Sequence, residues 1–193
     1  MRRFAAFNWP LSLATPLVGG LIVFGLWASV TAAYENVRLA HAVGQTLGAV
    51  KVARDMGVRA NDMADRATAS LLYRLSYMER ITAMTLSGVV QKGFLNPWGG
   101  FVGLTVAPAD QALKIEAVVP PRACRRLIQF YGKDPARIGL KRVEVRDRAA
   151  LAISRQLYSA PSGGIAAGMT TNAIKAGCGA ADEVVVTLTF KLS

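Results

Sequence analysis

One histidine, His41, and two cysteines, Cys124 and Cys178, occur among 193 residues. A single imidazole excludes a multi-histidine metal centre. Two cysteines 54 positions apart form neither a Cys-x-x-Cys redox pair nor a zinc knuckle. A Walker phosphate loop, a Gly-x-Gly-x-x-Gly fingerprint and a Gly-x-Ser-x-Gly elbow are also missing, so no common motif for nucleotide chemistry or acyl transfer is present. Acidic residues are scarce, 12 against 23 Lys and Arg, and none lies between Met1 and Ala33. The carboxylate pairs Asp62/Asp65 and Asp182/Glu183 fall on an expected helix surface and just before an expected strand, which gives no catalytic dyad. Neither a cofactor nor an enzymatic activity is expected.

The net charge is +11. Arg122, Arg125, Arg126, Lys133, Arg137, Lys141, Arg142, Arg146 and Arg148 recur over one segment, with Asp134, Glu144 and Asp147 among them. Mixed signs point to solvated faces and contacts with acidic partners or lipid head groups. The alternative is a basic patch of Arg122, Arg125, Arg126 and Arg142 that holds nucleic acid.

What the chain has in abundance is apolar surface near its start. Leu11 to Ala33 is 23 residues without a charge. As a helix rising ~1.5 Å per residue it reaches ~35 Å, against ~30 Å for a bilayer core. Arg2 and Arg3 precede it, so the positive-inside rule leaves the N-terminus cytoplasmic and exports the chain beyond Ala33. Trp9 and Trp27 stand near the two ends, and Leu17, Leu21, Phe24 and Trp27 are the apolar contacts expected of this helix. The same segment, ending in small residues near Ala32, also fits a cleaved secretory signal, although its apolar core is longer than the usual ~7–15 residues. An oxidising compartment favours a Cys124–Cys178 disulfide over two buried thiols.

Leu39, Val43, Leu47 and Val50 continue the helical spacing past Ala33 as one apolar face, and Leu39, Val43 and Leu47 are expected to join the membrane and assembly contacts of the helix. Asn61-Asp62 is expected to cap a second helix with Leu71, Leu75 and Met78 on its apolar side, and Gly88 to Gly100 to form a loop. Strands are expected over Phe101–Val106, Leu113–Val118, Lys141–Asp147 and Glu183–Leu192, and short helices over Arg122–Tyr131, Ala149–Leu157 and Thr170–Ala176. The expected architecture is α+β: a long N-terminal helix, membrane-spanning in its first half, packed on a small antiparallel sheet head. The expected divisions are a flank at 1–10, a transmembrane helix at 11–33, an amphipathic helical region at 34–86 and an α/β head with a disulfide at 87–193.

The order of these pieces resembles type IV pilins, and most closely the type IVb pilins of thin conjugative pili. The carrying residues are the apolar run leading into Val37–Val50, the element Asn96-Pro97-Trp98-Gly99-Gly100 before the first strand, Val119 to Leu127 around Cys124, and Cys178 followed by Val186 to Phe190. Pilins are normally processed after a glycine that opens the apolar segment, with a glutamate five residues on. Here Gly19, Gly20 and Gly25 lie inside the apolar run and no glutamate follows, so the resemblance does not extend to that site. It implies a structural subunit, with copies of itself or other pilin-like or secretion subunits as partners together with membrane lipid. It also implies a place in the bacterial inner membrane with the head in the periplasm, or in an extracellular filament. A membrane-tethered or signal-cleaved periplasmic binding module for an acidic partner or DNA is the alternative.

Overall fold

The computed structural model describes residues 9–75, 82–86, 89–148, 154–160, 169–179 and 182–192, with side chains described for 27, 29–75, 92–148, 155–160, 169–179 and 182–192. In chain order the elements are α1 (Trp9–Asp55), α2 (Ala64–Leu75), β1 (Thr82–Leu86), β2 (Val89–Leu95), β3 (Phe101–Ala107) and β4 (Ala112–Val119). Beyond these come α3 (Pro121–Tyr131), α4 (Pro135–Ile138), β5 (Leu140–Asp147), β6 (Ser154–Ser159), α5 (Thr171–Gly177) and β7 (Val184–Lys191). The chain divides into two compact units, Met1–Arg38 and Leu39–Ser193.

The larger unit is built on a seven-stranded antiparallel sheet in the order β1-β2-β3-β4-β7-β5-β6. The last strand in sequence is therefore internal, and β4 and β5 flank it. Strand alternation sends Leu113 and Ile115 of β4, Val143 and Val145 of β5, and Val186, Leu188 and Phe190 of β7 to one face. That face shares one apolar core with Val43 and Val50 of α1, Leu71 and Leu75 of α2, Leu127 and Ile128 of α3, and Ile174 of α5. The opposite face carries, among the described residues, a small apolar cluster of Phe101, Val118 and Val185. Beside it Glu116 lies between Lys114 at 3.2 Å and Arg146 at 3.5 Å.

Local chemistry sets the helix ends. Gly57, with φ of +60°, closes α1 in the left-handed conformation that glycine adopts without a Cβ penalty. Pro121 begins α3, where its missing N–H has no helical partner to lose. Thr170 caps α5 by accepting the Ala173 N–H, and Asp134 caps α4 by accepting from the Arg137 N–H. α2 covers the stretch of β3 beyond its pairing with β2, where Thr68 Oγ1 accepts the Val106 N–H at 2.9 Å.

Several expectations are corrected. Residues 34–86 are not helical throughout: α1 stops at Asp55, and Thr82–Leu86 is a strand paired with β2. Gly88 to Gly100 is not a loop throughout, because Val89–Leu95 is β2. Within β2 a Cβ on Gly93 would lie 1.8 Å from Val102 O, so glycine there lets β3 come close. Asp62 does not cap α2; its carboxylate accepts the Arg59 N–H, and α2 starts at Ala64. Within Ala149–Leu157, Ser154 onward is strand β6 rather than helix, drawn into register by β5; Ala149 to Ile153 and Met78 lie outside the described residues. Among the described residues no helix is long and apolar enough to cross a membrane. Leu17, Leu21 and Phe24, in the apolar run, lie outside the described side chains.

Arg54, in the last turn of α1, ties the larger unit together. Its Nε and Nη2 donate to Lys191 O at 3.1 and 2.9 Å, and Nη2 also donates to Ile138 O at 3.0 Å. One guanidinium thus joins the end of α1 to the end of β7 and to the turn before β5. Arg54→Ala is expected to lower stability by about 1–2 kcal/mol, because charged donors to carbonyls exceed the usual net hydrogen-bond contribution but this site is exposed. Urea unfolding checks this. Arg54→Lys should recover only part of the loss, since an ammonium does not reproduce the planar fork.

Candidate functional site

Within Met1–Arg38, α1 presents Trp27, Val30, Tyr34 and Val37 at 70, 62, 56 and 66 % exposure. The intervals are three, four and three, so these four large apolar side chains form one stripe on one side of the helix. Ser29, Glu35 and Asn36 fall off the stripe, while Thr31 and Arg38 border it, four residues beyond Trp27 and Tyr34. Arg38 reaches Tyr34: its guanidinium carbon sits 4.3 Å from the ring centroid, and Nη2 donates to the phenol oxygen at 2.9 Å. Nη1 lies 3.5 Å from Glu35 Oε1. Sequence reasoning singles out Trp27 but misses the stripe; the three-four-three spacing is the signal for it.

Leu39, Val43 and Leu47 have a different fate from the one expected. Val43 is buried in the head core, and Leu39 and Leu47 are packed against it. Val43 is thus committed to the chain's own head, and Leu39 and Leu47 are partly covered by it.

The Asn96–Gly100 loop joins β2 to β3 and is organised by one side chain. Asn96 is buried. Its Nδ2 donates to Val118 O at 2.7 Å, while its Oδ1 accepts from Trp98 N at 2.9 Å and Gly100 N at 3.1 Å. Its own N–H donates to Gly100 O, and its carbonyl accepts the Gly99 N–H, both at 2.8 Å. Pro97 restricts the turn, Gly99 takes φ of +81°, and Trp98 packs against the core. Gln45 Nε2 reaches Leu95 O at 3.4 Å from α1. Between helix and loop lies a cavity of about 20 Å³ lined in part by Gln45, Thr46, Asn96 and Trp98. That is room for one water molecule beside Gln45 Oε1, which has no hydrogen-bond partner among the described residues. Burial holds the nearby Tyr131 phenol well above its ordinary titration range, with the Thr46 hydroxyl pulling the other way.

Cys124 and Cys178 form the expected disulfide, with Cα atoms 5.8 Å apart. Both cysteines are buried, and the bond ties α3 to the end of α5. The expected basic patch is not one patch. Arg122, Arg125 and Arg126 lie on α3, which covers the core face of the sheet. Arg142 pairs with Thr189 across β5 and β7 and alternates with the core residue Val143, which places it on the opposite face, 3.6 Å from Glu144. Among the described residues no group of three or more His, Cys, Asp and Glu is placed to hold a metal ion.

No family model matches the chain, no curated protein matches it, and no solved structure matches it.

Proposed function

We propose that this chain is a structural, pilin-like subunit that assembles with copies of itself through α1, with its disulfide-closed head displayed outside the cytoplasm. The observation that carries the reading is the stripe Trp27, Val30, Tyr34 and Val37. An isolated helix gains nothing from aligning four large apolar side chains in water, whereas a neighbouring helix would bury them. At Tyr34 and Val37, beyond the charge-free run, Glu35 and Asn36 occupy the other sides of the helix, which favours a protein neighbour over lipid there, because a lipid-embedded helix is apolar all round. The charge-free run Leu11–Ala33 supports a membrane tether at the start of α1, and the disulfide supports an oxidising compartment for the head. The inner membrane with the head in the periplasm, or a filament drawn from it, meets both conditions.

The double substitution Val30→Asp/Val37→Asp tests this. Chemical cross-linking of the full chain in detergent should give a ladder of multimers for the parent protein and at least ~10-fold less multimer for the variant. Burying two carboxylates in a helix seam opposes association by several kcal/mol. The unfolding midpoint of the head should not change, since neither residue belongs to its core. Equal cross-linking of the variant would exclude the stripe as the assembly surface.

A further inference from the structure

The positive charge of the head is distributed unequally between its two faces. On the sheet face away from the helices, Lys114 and Arg146 have Glu116 beside them and Arg142 has Glu144, while Lys191 at the end of β7 has no carboxylate partner among the described residues. At the end of β5, Arg148 pairs with Glu183. On α3 and α5 that balance is missing. Neither α3, PRACRRLIQFY, nor α5, TNAIKAG, contains an acidic residue. Arg122, Arg125, Arg126 and Gln129 recur at helical spacing on the side of α3 opposite its buried Ala123, Leu127 and Ile128. Arg122 and Arg125 have no carboxylate partner among the described residues, and Lys175 is exposed on α5, which packs beside α3. The disulfide and the shared core hold the two helices in fixed relation.

We infer that the α3–α5 face is a docking surface for the phosphate backbone of nucleic acid, read without sequence preference. Three features select this partner. The same face of a second copy carries the same arginines and no carboxylate on α3 or α5, so two such faces would repel each other. A bilayer-docking helix inserts an apolar face, and the apolar face of α3 is committed to the core, leaving only Phe130 of its large apolar side chains exposed. The three cations of α3 are all arginines, whose planar fork matches phosphate oxygens in pairs. The inference does not depend on assembly through α1, and Arg142, on the other face, is excluded from the surface.

The test is fluorescence polarisation of a labelled 30-base-pair duplex DNA against the full chain in detergent, over a range of salt. Parent protein should bind with a steep salt dependence. Arg122→Gln/Arg125→Gln/Arg126→Gln should weaken binding roughly tenfold or more. It should also lower the slope of log affinity against log salt by about 2.7, the value for three lost phosphate contacts at about 0.9 each. Arg142→Gln should change affinity less than twofold. The Val30→Asp/Val37→Asp chain should bind the duplex with unchanged salt slope, which separates this inference from the assembly reading. An unaffected triple variant, or an equal loss from Arg142→Gln, overturns it. Arginine-dependent binding to anionic phospholipid vesicles without duplex binding would also overturn it, assigning the face to a membrane surface.

Discussion

Gly100→Ala is expected to lower the stability of the head by about 3 kcal/mol or more, a melting temperature roughly 10 °C lower for a domain of this size. A Cβ built on Gly100 lies 1.9 Å from Val118 O and 3.0 Å from Asn96 Nδ2. It would stand where Asn96 donates to Val118. Relief requires moving backbone on β4, a strand paired on both sides, or breaking the bond and leaving a buried amide unsatisfied. Gly99→Ala is the internal control. Nothing lies within 4 Å of a Cβ at Gly99, so only its positive φ is penalised, at about 1–2 kcal/mol. Thermal unfolding of the two variants side by side checks the ordering. A Gly100→Ala loss no larger than that of Gly99→Ala would contradict the close approach of loop and strand.

Loss of the disulfide is the second large effect. Cys124→Ala/Cys178→Ala is expected to destabilise the head by about 4 kcal/mol on the chain-entropy model for residues 54 apart. The loss should not be uniform. α5 has seven residues, too few to persist without tertiary anchoring, and Ile174 is its one buried residue besides the disulfide at its end. Hydrogen exchange should therefore show α5 losing protection first, while β4 and β7, paired over eight residues, keep theirs. An unfolding midpoint unchanged by reduction, or uniform loss of protection across the sheet, would contradict this division.

The parts legible in the sequence are those whose signal is local. Leu113, Ile115 and Ala117 alternate with Lys114 and Glu116, and β4 follows from that period; Val186, Leu188 and Phe190, alternating with Thr187 and Thr189, mark β7 in the same way. Pro120-Pro121 announces the start of α3. Signals with two meanings mislead. Gly93 is a breaker by propensity and a spacer between strands in the fold. Thr82–Leu86 is too short for period to separate strand from helix, and its pairing with β2 decides. Long-range partners leave no trace in the pattern. Arg54 binds carbonyls 84 and 137 positions away, and Asn96 binds one 22 positions away. The separation of Arg142 from the α3 arginines is within reach of the sequence, because strand parity with Val143 and Val145 already places it on the other face. The burial of Val43 and the packing of Leu39 and Leu47 against the head core are not, since an apolar helix stripe does not say whether its own head or a neighbour covers it.

Assembly through α1 is most directly tested by electron microscopy of the particle purified from membranes of cells expressing the full chain. The expected result is an oligomer with its N-terminal helices bundled at the centre, Trp27, Val30, Tyr34 and Val37 turned toward neighbouring helices, and the heads outside. A monomer with a free N-terminal helix, or an oligomer held together by head contacts alone, would contradict it.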